Sequence, residues 1–391
     1  MAGTGLPLAG VRVIEMTHMV MGPTCGMILA QLGAEVIKVE PPAGDKTRTL
    51  GGMGTAFFPL FNRGKRSVVL DFAKSEDRDT MHALLASADV FVENFRDGQL
   101  EKQGLGPDEL RKRHPHLIVC GHKGFLSGPY EHRPALDEVV QMMSGLAAMT
   151  GTQEKPQRVG SSANDIMGGM FGVISILAAL YQKRAGAKDR SEHGADIRIG
   201  LFENCLFLVA QHMVEYEMTG NKPRSMPERE HAWPIYDIFD TAGEERIFIG
   251  VVTEGHWQAF CREFGLQEFL DDPSLATTTD RILARSRILP RVAEEIRRWN
   301  VAELSERLDL LNICFSPINR PEDLLSDPHV LRPGGLVQNV NADGKPFRVP
   351  ALPVEWNGGH IGEGLRVPAL GADTASVRAE LSKRRSTDNA A

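Results

Sequence analysis

The sequence is poor in cysteine, and its cysteines form no motif. Five occur among 391 residues, at Cys25, Cys120, Cys205, Cys261 and Cys314, far apart and without a C-x-x-C pair. A disulfide framework or a structural zinc site requires paired or closely spaced cysteines. The pattern instead indicates reduced thiols and a cytoplasmic protein.

An excess of positive charge and membrane-directed segments are also missing. The formal net charge is −7 at pH 7, which argues against nucleic acid or an anionic membrane as the main partner. The N-terminus has neither the basic nor the apolar region of a signal peptide. The longest apolar stretch with helical character, from about Ile166 to Leu180, is short and glycine-rich, so no membrane span is expected.

Common cofactor and hydrolase motifs are absent as well. The chain contains no G-x-x-x-x-G-K-[ST], G-x-S-x-G or H-E-x-x-H motif, and its histidines do not cluster at metal-ligand spacing. Glu40 ends a predicted strand where a ribose-binding acid would lie in a dinucleotide fold. However, the preceding turn, Thr17–Pro23, lacks the G-x-G-x-x-G fingerprint, which disfavours a nicotinamide dehydrogenase. We expect no metal and no permanently bound cofactor.

Alternating strand and helix patterns occupy the first part of the chain. Apolar runs that predict buried strands are separated by intervals long enough for helices, which is typical of βαβ units and a parallel sheet in an α/β fold. The predicted strands are Val11–Met16, Glu35–Glu40, Ser67–Asp71, Asp89–Glu93 and His116–Cys120, with helices at Pro23–Leu32 and near 76–87 and 97–114.

The pattern changes after about residue 220. A polar, proline-containing linker, Asn221–Pro227, precedes two strand-like runs, Trp233–Phe239 and Arg246–Val251, and helical patterns near 255–265, 279–298 and 301–310. The sequence therefore predicts a large α/β domain at 1–220 and a smaller α+β domain at 221–330. A C-terminal segment, 331–391, follows and includes the strand-like stretch 336–354.

Asp165 stands where a polar run meets an apolar helix rich in small residues, Ile166–Leu180. An acid at a helix start gains from the helix dipole and from free backbone N–H groups, which favour its ionised form. Taken alone, this position suits an ordinary helix cap. A carboxylate held in such a place is also a possible nucleophile.

Short motifs along the whole chain carry a family resemblance. In chain order they are Gly22-Pro23, Gly33-Ala34 with Val36–Pro41, Gly44-Asp45 with Arg48, Asn62–Ser67 with Leu70-Asp71, Val92–Phe95, Lys123–Phe125, Leu136–Gln141, the Asp165 helix and Leu370–Thr374. In this order the sequence closely resembles the class III CoA-transferases, the formyl-CoA and carnitine CoA-transferase (CaiB/BaiF) family. That family also contains the α-methylacyl-CoA racemases. The resemblance covers residues 7–380.

The resemblance implies a fold and an assembly. It implies a Rossmann-like large domain, completed by a C-terminal return of the chain, and a small domain between the two segments. It also implies an interlocked homodimer in which two ring-shaped chains thread through each other.

The resemblance further implies that Asp165 is a nucleophile. The family moves CoA from an acyl-CoA to a free carboxylic acid through aspartyl anhydride and aspartyl-CoA thioester intermediates. Backbone N–H groups near Gly168-Gly169 are expected to stabilise the oxyanions. CoA and acyl-CoA are then substrates.

Residues that match the family's CoA contacts are Met19, Val20, Met21, Leu70, Asn94, Phe95, Lys102 and Lys123, with Arg48 from the G-D-x-x-R motif. The first three form the loop before the first helix, and the next three match adenine and pantetheine contacts. For Lys102 and Arg48 a solvated surface charge is an equally good interpretation. Pro41-Pro42 stand where some members carry a phosphate-binding arginine, which leaves Lys46 or Arg48 as substitutes.

Two alternatives remain open. A 2-methylacyl-CoA racemase needs a second base, and its motif carries histidine where this chain has Leu136, so Asp137 is better interpreted as a helix cap or an orienting group. A non-catalytic CoA-binding protein would lack any covalent intermediate.

The acceptor is expected to be a small carboxylic acid, with a short dicarboxylate and succinyl-CoA as the favoured pair. The stretch Arg229–Tyr236 has no glycine run, which disfavours formyl-CoA with oxalate.

Overall fold

The computed structural model describes residues 5–185 and 194–388, which divide into two compact units. The first unit runs to Pro227 and resumes at Leu331, while Glu228–Val330 forms the second. The sequence placed these divisions at 220/221 and 330/331.

The elements of the first unit are β1 Arg12–Met16, α1 Met21–Gln31, β2 Glu35–Glu40, α2 Phe57–Asn62, β3 Arg66–Val69, α3 Ser75–Ala86, β4 Val90–Glu93, α4 Pro107–Arg113, β5 Ile118–Lys123, α5 Asp137–Met143, α6 Leu146–Thr150, α7 Ala163–Arg184, β6 Asp196–Gly200 and α8 Leu201–Thr219. The second unit contains β7 Ile235–Asp240, β8 Arg246–Val251, α9 Glu254–Glu263, α10 Gln267–Asp271, α11 Thr278–Leu283, α12 Arg285–Ile296, α13 Val301–Leu310 and β9 Cys314–Pro317. The chain then adds β10 Leu336–Val340, β11 Pro346–Pro350 and α14 Thr374–Asp388 to the first unit.

The first unit is built on a six-stranded parallel sheet with the order β3-β2-β1-β4-β5-β6. Every residue of β1 and β4 is buried, as expected for central strands covered by helices on both faces. The order reverses between β1 and β4, and such a switch point is where open α/β sheets bind ligands. The α/β fold and all five predicted strands are confirmed.

The sixth strand, β6, was not predicted from the sequence. It pairs with β5 at the edge of the sheet, where Val119 lies opposite Asp196. It is short and partly exposed, and its two isoleucines alternate with polar residues. A pattern of this kind gives a weak signal for a strand.

The C-terminal segment returns to the exposed edge of β3. The backbone N–H of Asp373 donates to the carbonyl oxygen of Ser67 at 2.9 Å, and the N–H of Val69 donates to Oγ1 of Thr374 at 3.0 Å. These bonds cover an otherwise open sheet edge. The strand-like stretch 336–354 does not extend the main sheet, because β10 and β11 pair with each other in a separate antiparallel sheet.

The second unit is α+β, as predicted. Its sheet has the antiparallel order β7-β8-β9. The side chains of Trp257, Phe260, Ile288 and Leu304 form part of the core beneath the sheet.

Helix α7 lies directly against α1 because it has glycines on the contact face. A Cβ on Gly169 would lie 2.7 Å from the carbonyl oxygen of Met21 and 2.7 Å from Cβ of Thr24. A Cβ on Gly168 would meet the side chains of Met21 and Asn204. The glycines therefore set the separation of the two helices.

By length and composition, α7 is the one helix among the described residues that could cross a membrane. It is 22 residues long, longer than predicted, and 39% of its apolar window is buried. Its glycine face packs on α1, and a core helix of a soluble protein passes the same test. Length and composition are therefore weak evidence for a membrane span.

We expect Gly169→Ala to lower the free energy of unfolding by about 1–3 kcal/mol, because a backbone carbonyl cannot move away from the new methyl group. Gly168→Ala is the matched variant. There the new methyl group meets only side-chain atoms of Met21 and Asn204, which can shift, and alanine is the better helix former by about 1 kcal/mol, so the loss should be smaller. Chemical denaturation measures both, and equal losses would contradict this account of the helix contact.

Candidate active site

The carboxyl ends of the parallel strands bring several of the predicted residues to one edge of the sheet. At the switch point, two hydrogen bonds connect the loop after β1 to the loop after β4. The backbone N–H of His18 donates to Oδ1 of Asn94 at 3.0 Å, and Nδ2 of Asn94 donates to the carbonyl oxygen of His18 at 2.8 Å. The His18 and Phe95 rings lie 5.8 Å apart. Asn94, Phe95 and Met19 therefore surround the place where such sheets bind ligands.

A buried ionic network fixes the loop between β1 and α1. Nζ of Lys38 donates to the carbonyl oxygen of Thr17 at 2.7 Å, and Nζ of Lys65 donates to that of Pro23 at 3.0 Å. Both ammonium groups face the buried carboxylate of Glu15, at 3.4 and 2.7 Å. Burial lowers the pKa of Lys65 to about 8, although Glu15 opposes this. Sequence analysis missed the network, although Glu15 and Lys38 stand out as charges within apolar strands.

The three residues predicted to contact CoA in this loop differ in what they present. Met19 has a left-handed backbone, with φ of 64°, and its side chain is 41% exposed. Val20 and Met21 are buried in the core. A ligand can therefore reach the side chain of Met19, whereas the side chains of Val20 and Met21 belong to the core.

Leu70 directly follows β3 and Lys123 ends β5, so both lie at the same edge of the sheet. Leu70 is fully buried, and its backbone N–H donates to the carbonyl oxygen of Glu40 at 3.0 Å, so the predicted contact with CoA is not supported. Nζ of Lys123 lies 2.8 Å from Oε1 of Glu93 and donates to the carbonyl oxygen of Phe95 at 2.9 Å. Lys123 thus connects the ends of β5 and β4 at the candidate CoA site.

Arg48 and Lys102 lie in different surroundings from the other candidates. Nε and Nη2 of Arg48 donate to the two carboxylate oxygens of Glu40 at 2.7 and 2.6 Å, and Nη1 donates to the carbonyl oxygen of Pro368. Its guanidinium therefore joins β2 to the returning C-terminal segment and is not a free phosphate ligand. Lys46 nearby is exposed, and Lys102 is exposed on a short 3₁₀ helix.

Asp165 lies in the first turn of α7, and the structure argues against a simple cap. The N-cap is Ser162, which within the described residues makes no side-chain capping bond. Burial and the neighbouring charge of Asp137 raise the pKa of Asp165 to about 7, although Arg158 opposes this. The expectation that the helix start favours the ionised form of Asp165 is therefore not met, because desolvation and a like charge raise its pKa.

The neighbouring acid, Asp137, is the first residue of α5 and belongs to a polar network. Its Oδ2 accepts from Nε2 of Gln141 at 2.7 Å and from Nη2 of Arg158 at 3.2 Å. Burial raises the pKa of Asp137, and these donors together with the backbone N–H of Asp165 act in the opposite direction. The structure thus favours an orienting role for Asp137. Sequence analysis included Gln141 in a motif but gave it no role, and it missed Arg158, which lies in an irregular segment without a motif.

The backbone donors near Asp165 lie earlier in α7 than predicted. The N–H of Ile166 donates to the carbonyl oxygen of Ser162 at 2.9 Å. From there onward the helix uses its own N–H groups, including those of Gly168 and Gly169. The oxyanion role expected for these glycines is therefore not supported. Donors without helical partners occur only in the first turn, at residues 163–165.

We expect Asp165→Asn to raise the melting temperature, and to raise it more at about pH 8 than at about pH 5. The raised pKa means that the folded state loses stability as pH rises from the ordinary value of 3.8 to about 7, where the carboxylate ionises. Thermal unfolding measures the effect. The fully exposed Asp108 provides the control variant Asp108→Asn, and an equal gain at both pH values would contradict the assigned pKa.

Comparison with known proteins identifies the family. A family model described as CoA-transferase family III matches residues 8–374. The succinate–glutarate CoA-transferase of Agrobacterium fabrum is 31% identical over 388 residues, 96% of each chain. The acetyl-CoA:oxalate CoA-transferase of Acetobacter aceti is 31% identical over 360 residues, 90% of each chain. The crystal structure of a CaiB/BaiF family protein from Brucella suis is 32% identical and superposes with a TM-score of 0.84, covering 96% of this chain and 99% of that one. The chain belongs to CoA-transferase family III.

Proposed function

We propose that this protein transfers CoA from an acyl-CoA to a free carboxylic acid through covalent intermediates on Asp165. The observation that carries the proposal is the position of Asp165 in a chain of this family. It lies in the first turn of α7 beside Asp137 and Arg158, and α7 packs on the helix that follows the switch-point loop. The raised pKa makes the ionised carboxylate a stronger base and nucleophile than an exposed aspartate.

The reaction divides into acyl transfers that conserve the thioester. The Asp165 carboxylate attacks the acyl-CoA carbonyl, the C–S bond breaks, and a mixed anhydride and CoA thiolate form. The thiolate attacks the aspartyl carbonyl, which releases the donor acid and leaves an aspartyl-CoA thioester. The acceptor carboxylate attacks this thioester to give a second anhydride, and CoA thiolate attacks its acceptor carbonyl, which restores Asp165 and releases the new acyl-CoA.

CoA is a substrate in this scheme and binds along the carboxyl edge of the sheet. Met19, Asn94 and Phe95 surround the switch point, and Lys123 lies at the end of β5. Because Arg48 is occupied by Glu40, we assign the phosphate contact to the exposed Lys46 in preference to Arg48. Exposed Lys102 stays a candidate at the rim.

The proposed acids are short dicarboxylates, with succinyl-CoA as donor. The names of the two relatives described above include succinate, glutarate and oxalate.

The racemase alternative is disfavoured because Leu136, which is 65% exposed, cannot accept a proton. The five cysteines, all within described residues, are free thiols, which supports a cytoplasmic location.

A homodimer is part of the same proposal. Helix α7 presents a stripe of exposed apolar side chains, spaced by three and four residues along one face: Met170, Ile174, Leu177 and Tyr181. Helix α8 also exposes large apolar side chains: Phe207, Leu208, Met213, Val214, Tyr216 and Met218. Surfaces of this kind mark protein interfaces. A second copy of the chain, interlocked with the first, would cover them.

We expect Asp165→Ala to reduce CoA transfer to the rate without enzyme while CoA binding survives. Transfer is measured by mass spectrometry with a matrix of acyl-CoA donors and carboxylic acids, and binding by calorimetry. Wild-type protein incubated with its donor should also lose activity to hydroxylamine, which traps anhydrides and thioesters. Asp108→Ala is the control, and substantial transfer by Asp165→Ala would remove the mechanism.

The purified protein should be a homodimer that does not exchange subunits under native conditions. Threaded chains separate only after extensive unfolding, so exchange should follow unfolding kinetics. Tagged and untagged dimers are mixed and followed by native mass spectrometry. Heterodimers that form within minutes at room temperature would refute the interlocked arrangement and leave the chemistry of Asp165 untouched.

A further inference from the structure

Two of the three guanidinium nitrogens of Arg158, Nε and Nη2, donate hydrogen bonds to groups within the protein. Nε donates to the carbonyl oxygen of Val159 at 3.1 Å. Nη2 donates to Oδ2 of Asp137 at 3.2 Å and to the carbonyl oxygen of Ser161 at 3.1 Å. The segment is itself fixed, because the N–H of Val159 donates to Oε1 of the buried Gln141 at 2.9 Å. The guanidinium therefore keeps its position whether or not its remaining partner is present.

That remaining partner is a solvent-exposed carboxylate. Nη1 of Arg158 donates to Oε1 of Glu138 at 2.5 Å. The side chain of Glu138 is 59% exposed, against 28% for Arg158. An ion pair with an exposed, flexible partner is weak, since water competes for both groups. A carboxylate from solution can therefore take the place of Glu138 on Nη1.

The location of this cation suits an acid with two carboxylates. Arg158 shares Asp137 with the backbone N–H of Asp165, so it lies next to the reacting group. An acid that brings one carboxylate to the acylated Asp165 places any second carboxylate near the negative side chain of Asp137. Such a charge is stable there only beside a cation, and a planar guanidinium is the preferred partner.

We propose that Nη1 of Arg158 binds the distal carboxylate of a short dicarboxylic acid while the other carboxylate reacts at Asp165. Glu138 occupies this subsite when the acid is absent. The inference rests on the proposed transferase function and adds the residue that selects dicarboxylates over monocarboxylates.

The test compares glutarate with valerate, a monocarboxylate of the same chain length, as acceptors with one acyl-CoA donor. In Arg158→Gln, kcat/KM for glutarate should fall about tenfold or more relative to that for valerate, because a charge-assisted hydrogen bond is lost. In Glu138→Gln, the competing carboxylate is gone, so the KM for glutarate should fall and the ratio of glutarate to valerate use should rise. Arg111→Gln removes an exposed ion pair with Asp196 and should leave both acceptors unchanged.

The ratio between acceptors separates recognition from a structural role. Loss of the Arg158–Asp137 pair alters the pH profile at Asp165 for both acids alike, so it cannot change the ratio. Equal losses for glutarate and valerate in Arg158→Gln, or an unchanged glutarate KM in Glu138→Gln, would overturn the proposal. Wild-type protein that uses valerate but not glutarate as acceptor would also overturn the proposal. Wild-type protein that neither transfers CoA nor reacts with hydroxylamine would refute the proposed function itself.

Discussion

The close approach of α7 to α1 determines the geometry of the candidate site. A Cβ on Gly169 would strike the carbonyl oxygen of Met21, and one on Gly172 would come within 2.5 Å of the buried ring of His122 in β5. Because the glycine face of α7 packs this closely against α1 and β5, its N-terminus lies at the carboxyl edge of the sheet. The side chain of Asn164 completes this arrangement by donating to the carbonyl oxygen of Leu201, just beyond β6, at 3.0 Å. Asp165 follows Asn164 and is therefore held where the strands end.

Two polar networks prepare this edge for different tasks. The buried Glu15, Lys38 and Lys65 hold the loop before α1, and with it the backbone that faces the switch point. Asp137 and Arg158 lie beside Asp165, the proposed nucleophile, and together with burial they determine its pKa. The first network is sealed inside the fold, which suits a fixed substrate cradle. The second is partly open to solvent, which suits the proposed replacement of Glu138 by a substrate carboxylate on Arg158.

Most of the main sheet and the position of Asp165 could be predicted from the sequence, because apolar runs of strand length and a polar-to-apolar junction are local signals. The pKa of Asp165 could not, because it depends on burial and on Asp137 and Arg158, which approach only in the folded chain. The role of Arg48 could not be predicted for the same reason. Its motif suggested that it binds phosphate, but in the folded chain its guanidinium forms an ion pair with Glu40. Strand β6 was missed because an edge strand with alternating polar residues has little apolar signal.

The central claim is that CoA becomes covalently attached to Asp165. The most direct measurement incubates the protein with an acyl-CoA donor, reduces the product with borohydride and maps the peptides by mass spectrometry. A thioester or anhydride on an aspartate is reduced to an alcohol, so homoserine should appear at position 165. Unmodified Asp165 after such treatment of an active sample, or homoserine at Asp137 instead, would contradict the account.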